Sequence, residues 1–414
     1  MGSFSIPLSG MSAAQDALQS VSNNLANINT DGFKDQNLLF SDVFAQAGAT
    51  NGAGNPMQTG LGVTEAGTVS DFTEGTLNPT GISSNMAISG TGYFVVQDSN
   101  GASEYTRAGD FTTNNAGFLT TPSGQLVLGY PAVNGVVNTS AQLQPLQVGL
   151  GETTPAVATS NIQITANLDA NTGVGGSGPV STLTVYDSLG SPHTLTVNYT
   201  MTAPNTWTYA VTIPGADVTA GGTGNVTIGS GTLNFNGSGD LTSTTGVTPI
   251  SIPTLTDGAT APMAIGGPFG TAASPTITQT ASANATSATN QNGYPSGTLQ
   301  SYSVESDGTI EGVFSSGASL ALGQVAVATF PNEQGLDQLG NNSYGSTVAS
   351  GSAVIGVPGT GGAGTIVGGS VEQSNVDIAT EFSKLIVAQQ AYSANAKSVT
   401  TFNQISQATL QMVQ

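Results

Sequence analysis

The sequence predicts a mainly β chain closed at both ends by an α-helical coiled coil, with nested antiparallel β-domains inserted between N- and C-terminal heptad helices. Two observations carry this. Apolar residues recur at alternating steps of three and four near each terminus. Between them, short runs of alternating apolar and polar residues are separated by turn-forming Gly, Asn, Asp and Pro.

At the N-terminal end the stripe is Met11, Ala14, Leu18, Val21, Leu25 and Ile28. Ser9 or Ser12 is placed to cap the start, and Asp31 with Gly32 to stop the helix. At the C-terminal end Ile378, Phe382, Leu385, Tyr392, Ala396 and Val399 follow a heptad that Gln389 interrupts. The stripe then shifts to Phe402, Ile405, Leu410 and Val413. Ser374 or Asn375 is the expected cap, and at 1.5 Å per residue the helix is about 55 Å long. Ala388, Ala391, Ser393, Ala394 and Ala396 give it small flanks, which let neighbouring helices approach on more than one side.

The strand candidates are residues 93–97, 125–130, 162–168, 183–186, 194–199, 206–213 and 324–330. Ile162, Ile164, Ala166 and Leu168 point one way along their strand, as do Trp207, Tyr209, Val211 and Ile213 along theirs, the mark of half-buried antiparallel sheet. Residues 257–292 show little periodicity and read as an irregular linker. The expected modules are 1–29 and 371–414 as an inner assembly domain and 30–70 as a bridge whose flexible part is 48–54. A first β-domain comes in two pieces, 71–150 and 293–370, around an inserted outer β-domain at 151–292.

Composition excludes several functions. The 414 residues include only 4 Lys+Arg against 24 Asp+Glu, a formal net charge of -20. Clustered cations for phosphate are absent, which argues against nucleic acid and against an anionic membrane surface. No run is apolar enough for membrane insertion, and the start lacks the basic, apolar pattern of a cleaved secretion signal. With no cysteine there is no disulfide or thiolate chemistry.

Catalytic, cofactor and metal sites are not expected. His193 is the only histidine and reads as a solvated turn residue. Gly359, Gly361 and Gly364 fit a phosphate-loop spacing, but a strand-like segment follows where a helix is required, so they read as a flexible joint. Glu74, Asp98, Asp110, Asp240, Glu305, Asp307 and Glu311 mark no carboxylate pair and read as turn residues.

Residues 25–34, with Asn27, Asn29, Thr30, Gly32 and Phe33, resemble the N-terminal motif of the bacterial flagellar rod and hook axial proteins. Residues 374–377 with Asn375, 381–382, and 388–397 with Asn395 resemble that family's C-terminal motif, Gln390 standing where Arg is usual. Residues 87–96, then 105–111 with Arg107, Gly109 and Phe111, then 129–131, follow the family's order. The large insertion, with its turn at 187–190, resembles the hook-type members more than the rod proteins. The resemblance implies a non-enzymatic subunit without cofactors that self-assembles into a curved helical tube, a universal joint carrying torque from rod to filament. It implies the rod, a hook cap, junction proteins and a length-control protein as partners, and uncut export by the flagellar type III apparatus. Met11, Leu18, Val21, Leu25, Ile28, Phe382, Leu385, Tyr392, Val399, Phe402 and Leu410 are the expected self-assembly contacts. A distal rod-type protein is the alternative within the family; a secreted adhesive or carbohydrate-active β-protein is the alternative outside it.

Overall fold

A computed structural model describes residues 4–50, 56–149, 151, 153–219, 222–246, 249–271 and 274–412. It is mostly antiparallel β-structure between an N-terminal helix, α1 (Ser5–Ala26), and a C-terminal helix, α2 (Ile378–Met412). The fold class read from the sequence is the one observed. Contacts divide the chain into two units: Met1–Gly149 with Tyr302–Gly312 and Leu320–Gln414, and Leu150–Ser301 with Val313–Ser319.

The helix ends differ from expectation. α1 begins before Ser9: Pro7 lies in its first turn, where an amide N–H has no helical partner to lose. The Ser9 hydroxyl instead donates back to the Ile6 carbonyl at 2.9 Å. α1 ends at Ala26 with Asn27 as cap, so Gly32 closes a later turn. The cap of α2 is Asp377, whose carboxylate accepts from the Thr380 N–H at 2.7 Å. Neither Ser374 nor Asn375 caps it.

In the first unit, α1 leads into an antiparallel ribbon of β1 (Gln36–Thr50) and β2 (Pro56–Ser70), bulged between Leu39 and Phe40 and between Val43 and Phe44. Of the bridge's expected flexible part, residues 51–54 lie outside the described residues, as does Val413. Strand Tyr93–Gln97 pairs with Ser103–Thr106 on one side and with Leu126–Val133 and Val327–Thr329 on the other. Phe94, Phe111, Val127, Ile310 and Val325 share one core below this sheet, and Tyr93, Tyr105 and Tyr344 another above it. The returning chain is stitched to the outgoing chain: Thr365–Gly368 pairs with Met86–Ser89, and Ser370–Glu372 with Leu77–Pro79. Ile366 is buried, so the glycine-rich stretch before it is a turn into core sheet and not a flexible joint.

The second unit holds a five-stranded meander running through Ser177–Tyr186, Pro192–Ala203, Thr206–Pro214, Asn225–Phe235 and Leu241–Gly246. A three-stranded sheet places Ile162–Asp169 between Ile277–Thr280 and Ala285–Gln291. The alternating residues Ile162, Ile164, Ala166 and Leu168, and Trp207, Tyr209, Val211 and Ile213, are all buried in one core. The linker reading of 257–292 is overturned here, because Ala259, Met263, Ile265, Phe269 and Ile277 belong to that core and Phe269 packs on Tyr209 at 4.7 Å between ring centroids. Its strands are only two to seven residues long, too short to show a period. Ile277→Val is expected to cost the second unit about 0.5–1.5 kcal/mol. An unchanged urea midpoint for that unit would place Ile277 outside the core.

His193 also departs from its reading. It is buried on strand Pro192–Ala203 and flanked by carboxylates.

Candidate assembly surface

The terminal helices pair antiparallel within the first unit. The Phe4 and Phe402 rings lie 5.9 Å apart, Gly10 lies against Asn395, and the Asn24 amide donates to Glu381 at 3.2 Å. Pro7, Ala14, Val21 and Asn24 are the buried residues of α1, and with half-buried Gly10 and Ala17 they keep heptad spacing. This stripe shares Ala14 and Val21 with the one read from the sequence but otherwise uses small residues. Met11, Leu18, Leu25 and Ile28 flank it and are half-buried.

On α2, Glu381 and Ala388 are buried, and Lys384, Leu385, Asn395, Ala396 and Val399 are half-buried. The other side is open. Phe382, Ile386, Val387 and Ile405 are exposed there, Val387 by 62%, and Tyr392 and Phe402 lie at the edge; Leu410, 67% exposed, continues the line of Val399 beyond the residues paired with α1. On α1, Phe4, Ile6 and Leu8 are exposed as well. Isolated exposed apolar residues are ordinary, but a row along one helix is a surface awaiting a partner. Gln390 faces solvent.

Beneath the helices a charged collar ties both chain ends to the first β-unit. Only Lys34, Arg107, Lys384 and Lys397 carry basic side chains, and three of these four sit here. Glu372, fully buried, accepts from Lys34 Nζ at 2.5 Å and the Gly75 N–H at 2.8 Å through Oε1, and from Arg107 Nη1 at 3.2 Å through Oε2. Lys34 also donates to the Thr73 carbonyl at 2.7 Å, and Arg107 to the Gly90 carbonyl at 2.8 Å. The Arg107 guanidinium lies 5.3 Å from the centre of the Tyr93 ring, a cation–π contact. Burial lowers the proton affinity of Lys34, and Glu372 opposes that shift. Burial pushes the Tyr344 hydroxyl up to about 12, with Arg107 pulling the other way.

A second cluster stands where α1 meets α2. The Asn24 side chain bonds Asp35, accepts from the Gln36 N–H at 3.1 Å and donates to the Gln36 carbonyl at 3.0 Å. Lys384 donates to Glu381 at 2.6 Å and to Asn37 at 2.9 Å.

The collar is also where most motif residues fall. The Asn27 amide donates to the Asn23 carbonyl at 3.0 Å, and the Thr30 hydroxyl to the Asn27 side chain at 3.1 Å; Asn29 is exposed. Gly32 has φ +70 and donates to the Glu372 carbonyl at 2.7 Å; a Cβ there would meet the Ala108 nitrogen at 2.4 Å. Phe33 is buried. At Gly109 a Cβ would stand 1.5 Å from the Met86 carbonyl oxygen, so only glycine fits. Phe111 packs edge-on to Phe94 at 5.0 Å. Asn375 accepts from the Asp35 N–H at 2.7 Å and donates to the Asp71 carbonyl at 2.8 Å, joining the two chain ends. The Asn395 amide donates to the Ala391 carbonyl at 3.0 Å. Glu372 and Asn24 are central here and were not read from the sequence, whereas Lys34 and Glu381 entered only as parts of the motif stretches 25–34 and 381–382. Glu372 follows Val371 in an otherwise polar and glycine stretch, 368–375, so nothing local marked it.

Comparison with known proteins bears on this architecture. A flagellar hook protein FlgE from Salmonella typhimurium is 36% identical over 97% of this chain and 98% of its own length. The chain belongs to the flagellar hook protein family. Another hook protein FlgE, from Treponema pallidum, is 34% identical over 95% of this chain and 96% of its own length. Within the hook-protein chain, residues 6–34 match the flagella basal body rod protein family and 367–412 the flagellar basal body rod FlgEFG protein C-terminal family. Residues 87–182 match the flagellar hook protein FlgE/F/G D1 domain, and 177–294 the flagellar basal body protein FlaE D2 domain. The crystal structure of Helicobacter pylori flagellar hook protein FlgE2 shares the fold, with a TM-score of 0.55 at 14% identity, covering 71% of this chain and all of that one. No helix among the described residues of this hook-family chain is long and apolar enough to cross a membrane.

Proposed function

We propose that this hook-family subunit polymerises with copies of itself into a curved helical tube that serves as a universal joint, passing torque from rod to filament. What supports the reading is the two-sided C-terminal helix, with one face packed on α1 and the other lined by exposed Phe382, Ile386, Val387 and Ile405. Neighbours meeting that face with a different patch make a heterologous contact, which propagates as a helix and does not close as a dimer.

In this reading residues 1–29 and 371–414 form an inner layer around a channel. Residues 30–70 bridge to the first β-domain, 71–150 with 293–370, and 151–292 form the outer one. The helix pair gains its full order on assembly, because a single stripe buries too little apolar surface to offset the entropy of ordering two long segments. β-units of adjacent copies slide past one another as the tube turns, which suits their polar, sparsely charged surfaces. The subunit has no catalytic role. Its partners are the rod, a hook cap, the junction proteins and a length-control protein, and it leaves the cell uncut through the flagellar type III apparatus to reside in the hook outside.

The test is electron microscopy of the purified chain at high protein and salt concentration, with circular dichroism across the same range. Tubes are expected, with a gain in helical signal on assembly. Soluble monomer at every concentration would count against the reading.

A further inference from the structure

In the second unit, four side chains converge at one end of the five-stranded meander. Asp187 follows strand Ser177–Tyr186, and its Oδ1 accepts from the Leu189 and Ser191 N–H groups, each at 2.8 Å. Its Oδ2 lies 3.2 Å from His193 Nε2. His193 Nδ1 lies 3.2 Å from Asp217 Oδ2. Asp257 Oδ1 accepts from the Ala259 N–H at 3.1 Å, leaving its Oδ2 at 3.8 Å from His193 Nε2. His193 is 6% exposed and Asp187 1%, whereas Asp257 sits at the open mouth.

The charges do not balance with protein groups. All four Lys and Arg residues of the chain fall in the first unit, so His193 is the only side chain of the second that can carry positive charge, and it faces three carboxylates. The Nε2 edge of the imidazole faces Asp187 Oδ2 and Asp257 Oδ2 together, and its Nδ1 edge faces Asp217.

The three inward atoms, one from each of Asp187, His193 and Asp257, lie within 4.8 Å of one another. Four-coordinate zinc, with bonds of about 2.0–2.2 Å, sets its ligand atoms about 3.3–3.5 Å apart, a spacing that small side-chain rotations reach from here. We propose that Asp187, His193 and Asp257 bind a divalent first-row transition ion, with Asp217 positioning the imidazole. A nitrogen ligand beside two carboxylates favours zinc-like ions over calcium or magnesium, which take oxygen shells. Asp217 supplies the outer carboxylate that commonly orients a metal-bound histidine. The ion clasps the turn after Asp187, the segment at Asp217 and the loop at Asp257, stiffening one end of this β-unit.

The experiment uses the full chain, stripped with EDTA, in zinc titration calorimetry and thermal unfolding with and without zinc. Saturation at one zinc per chain is expected, with a rise in the melting temperature of the second unit that EDTA reverses and calcium does not reproduce. Asp257→Ala, at the surface, should bind zinc at least tenfold more weakly. Asp217→Asn should weaken binding about tenfold through loss of the oriented imidazole. An absent zinc response overturns the proposal. Equal responses from zinc and calcium, or from the chain and its Asp257→Ala variant, mean diffuse binding to an acidic surface and overturn it too.

Discussion

Glu372→Gln will destabilise the first unit by about 3–5 kcal/mol while leaving the unfolding of the second unit unchanged. Glu372 is fully buried and holds Lys34 and Arg107, themselves almost wholly buried, through separate oxygens. Glutamine keeps the shape and the acceptor for the Gly75 amide but leaves two cations with no anion in contact. The two cations then respond differently. Lys34 can release its proton, since burial already lowers its affinity, whereas an arginine stays charged at any working pH. The lasting cost therefore rests on Arg107, and adding Lys34→Met to the variant should recover only part of the loss.

The pH dependence has a definite sign. The unfolded chain keeps the ordinary lysine affinity while the folded chain holds the Lys34 proton less tightly, so between the two values the unfolded state binds more protons. Stability then rises with pH across that window. In Glu372→Gln the anion that opposes the shift is gone and the window opens further downward, so the deficit should shrink as pH rises toward the lysine range. Urea midpoints of both forms on either side of that range test this; a deficit constant with pH would show that Lys34 stays charged without its partner.

The collar explains what the sequence could and could not convey. Periodicity is local, and both terminal helices and the strands at Ile162 and Trp207 were legible because four or more apolar residues recur within one element. Lys34 and Glu372 are 338 residues apart, and no local pattern links them. His193 gave the same difficulty: its partners Asp217 and Asp257 reach it through turns from separate strands, so the sequence showed only a histidine after a proline. Ile265, Phe269 and Ile277 were hidden for a third reason, since Ile265 and Ile277 come from strands too short to carry a period and Phe269 from a turn.

On α1 the stripe of large side chains and the intrachain contact coincide only at Ala14 and Val21. Large side chains drew attention to Met11, Leu18 and Leu25, yet the intrachain contact runs through Gly10, Ala14, Ala17 and Val21, because small residues let two helices approach closely. The bulky residues are thereby left at the flank and, on α2, at the far side. Val387→Asp, at a position 62% exposed, should leave helix content and both urea transitions of the monomer unchanged and raise the concentration needed for polymerisation at least tenfold. Burying an aliphatic side chain is worth about 1.5–3 kcal/mol, and the buried charge adds to the loss at every subunit. Leu18→Asp, at the half-buried flank, should keep the β-units folded and abolish polymerisation. Val21→Asp, at 5% exposure, should in contrast separate α1 from α2 before any neighbour is met. Tubes forming from Val387→Asp at the ordinary concentration would show that this face of α2 meets solvent in the polymer, and the inner layer would then have to be built from the α1 flank alone.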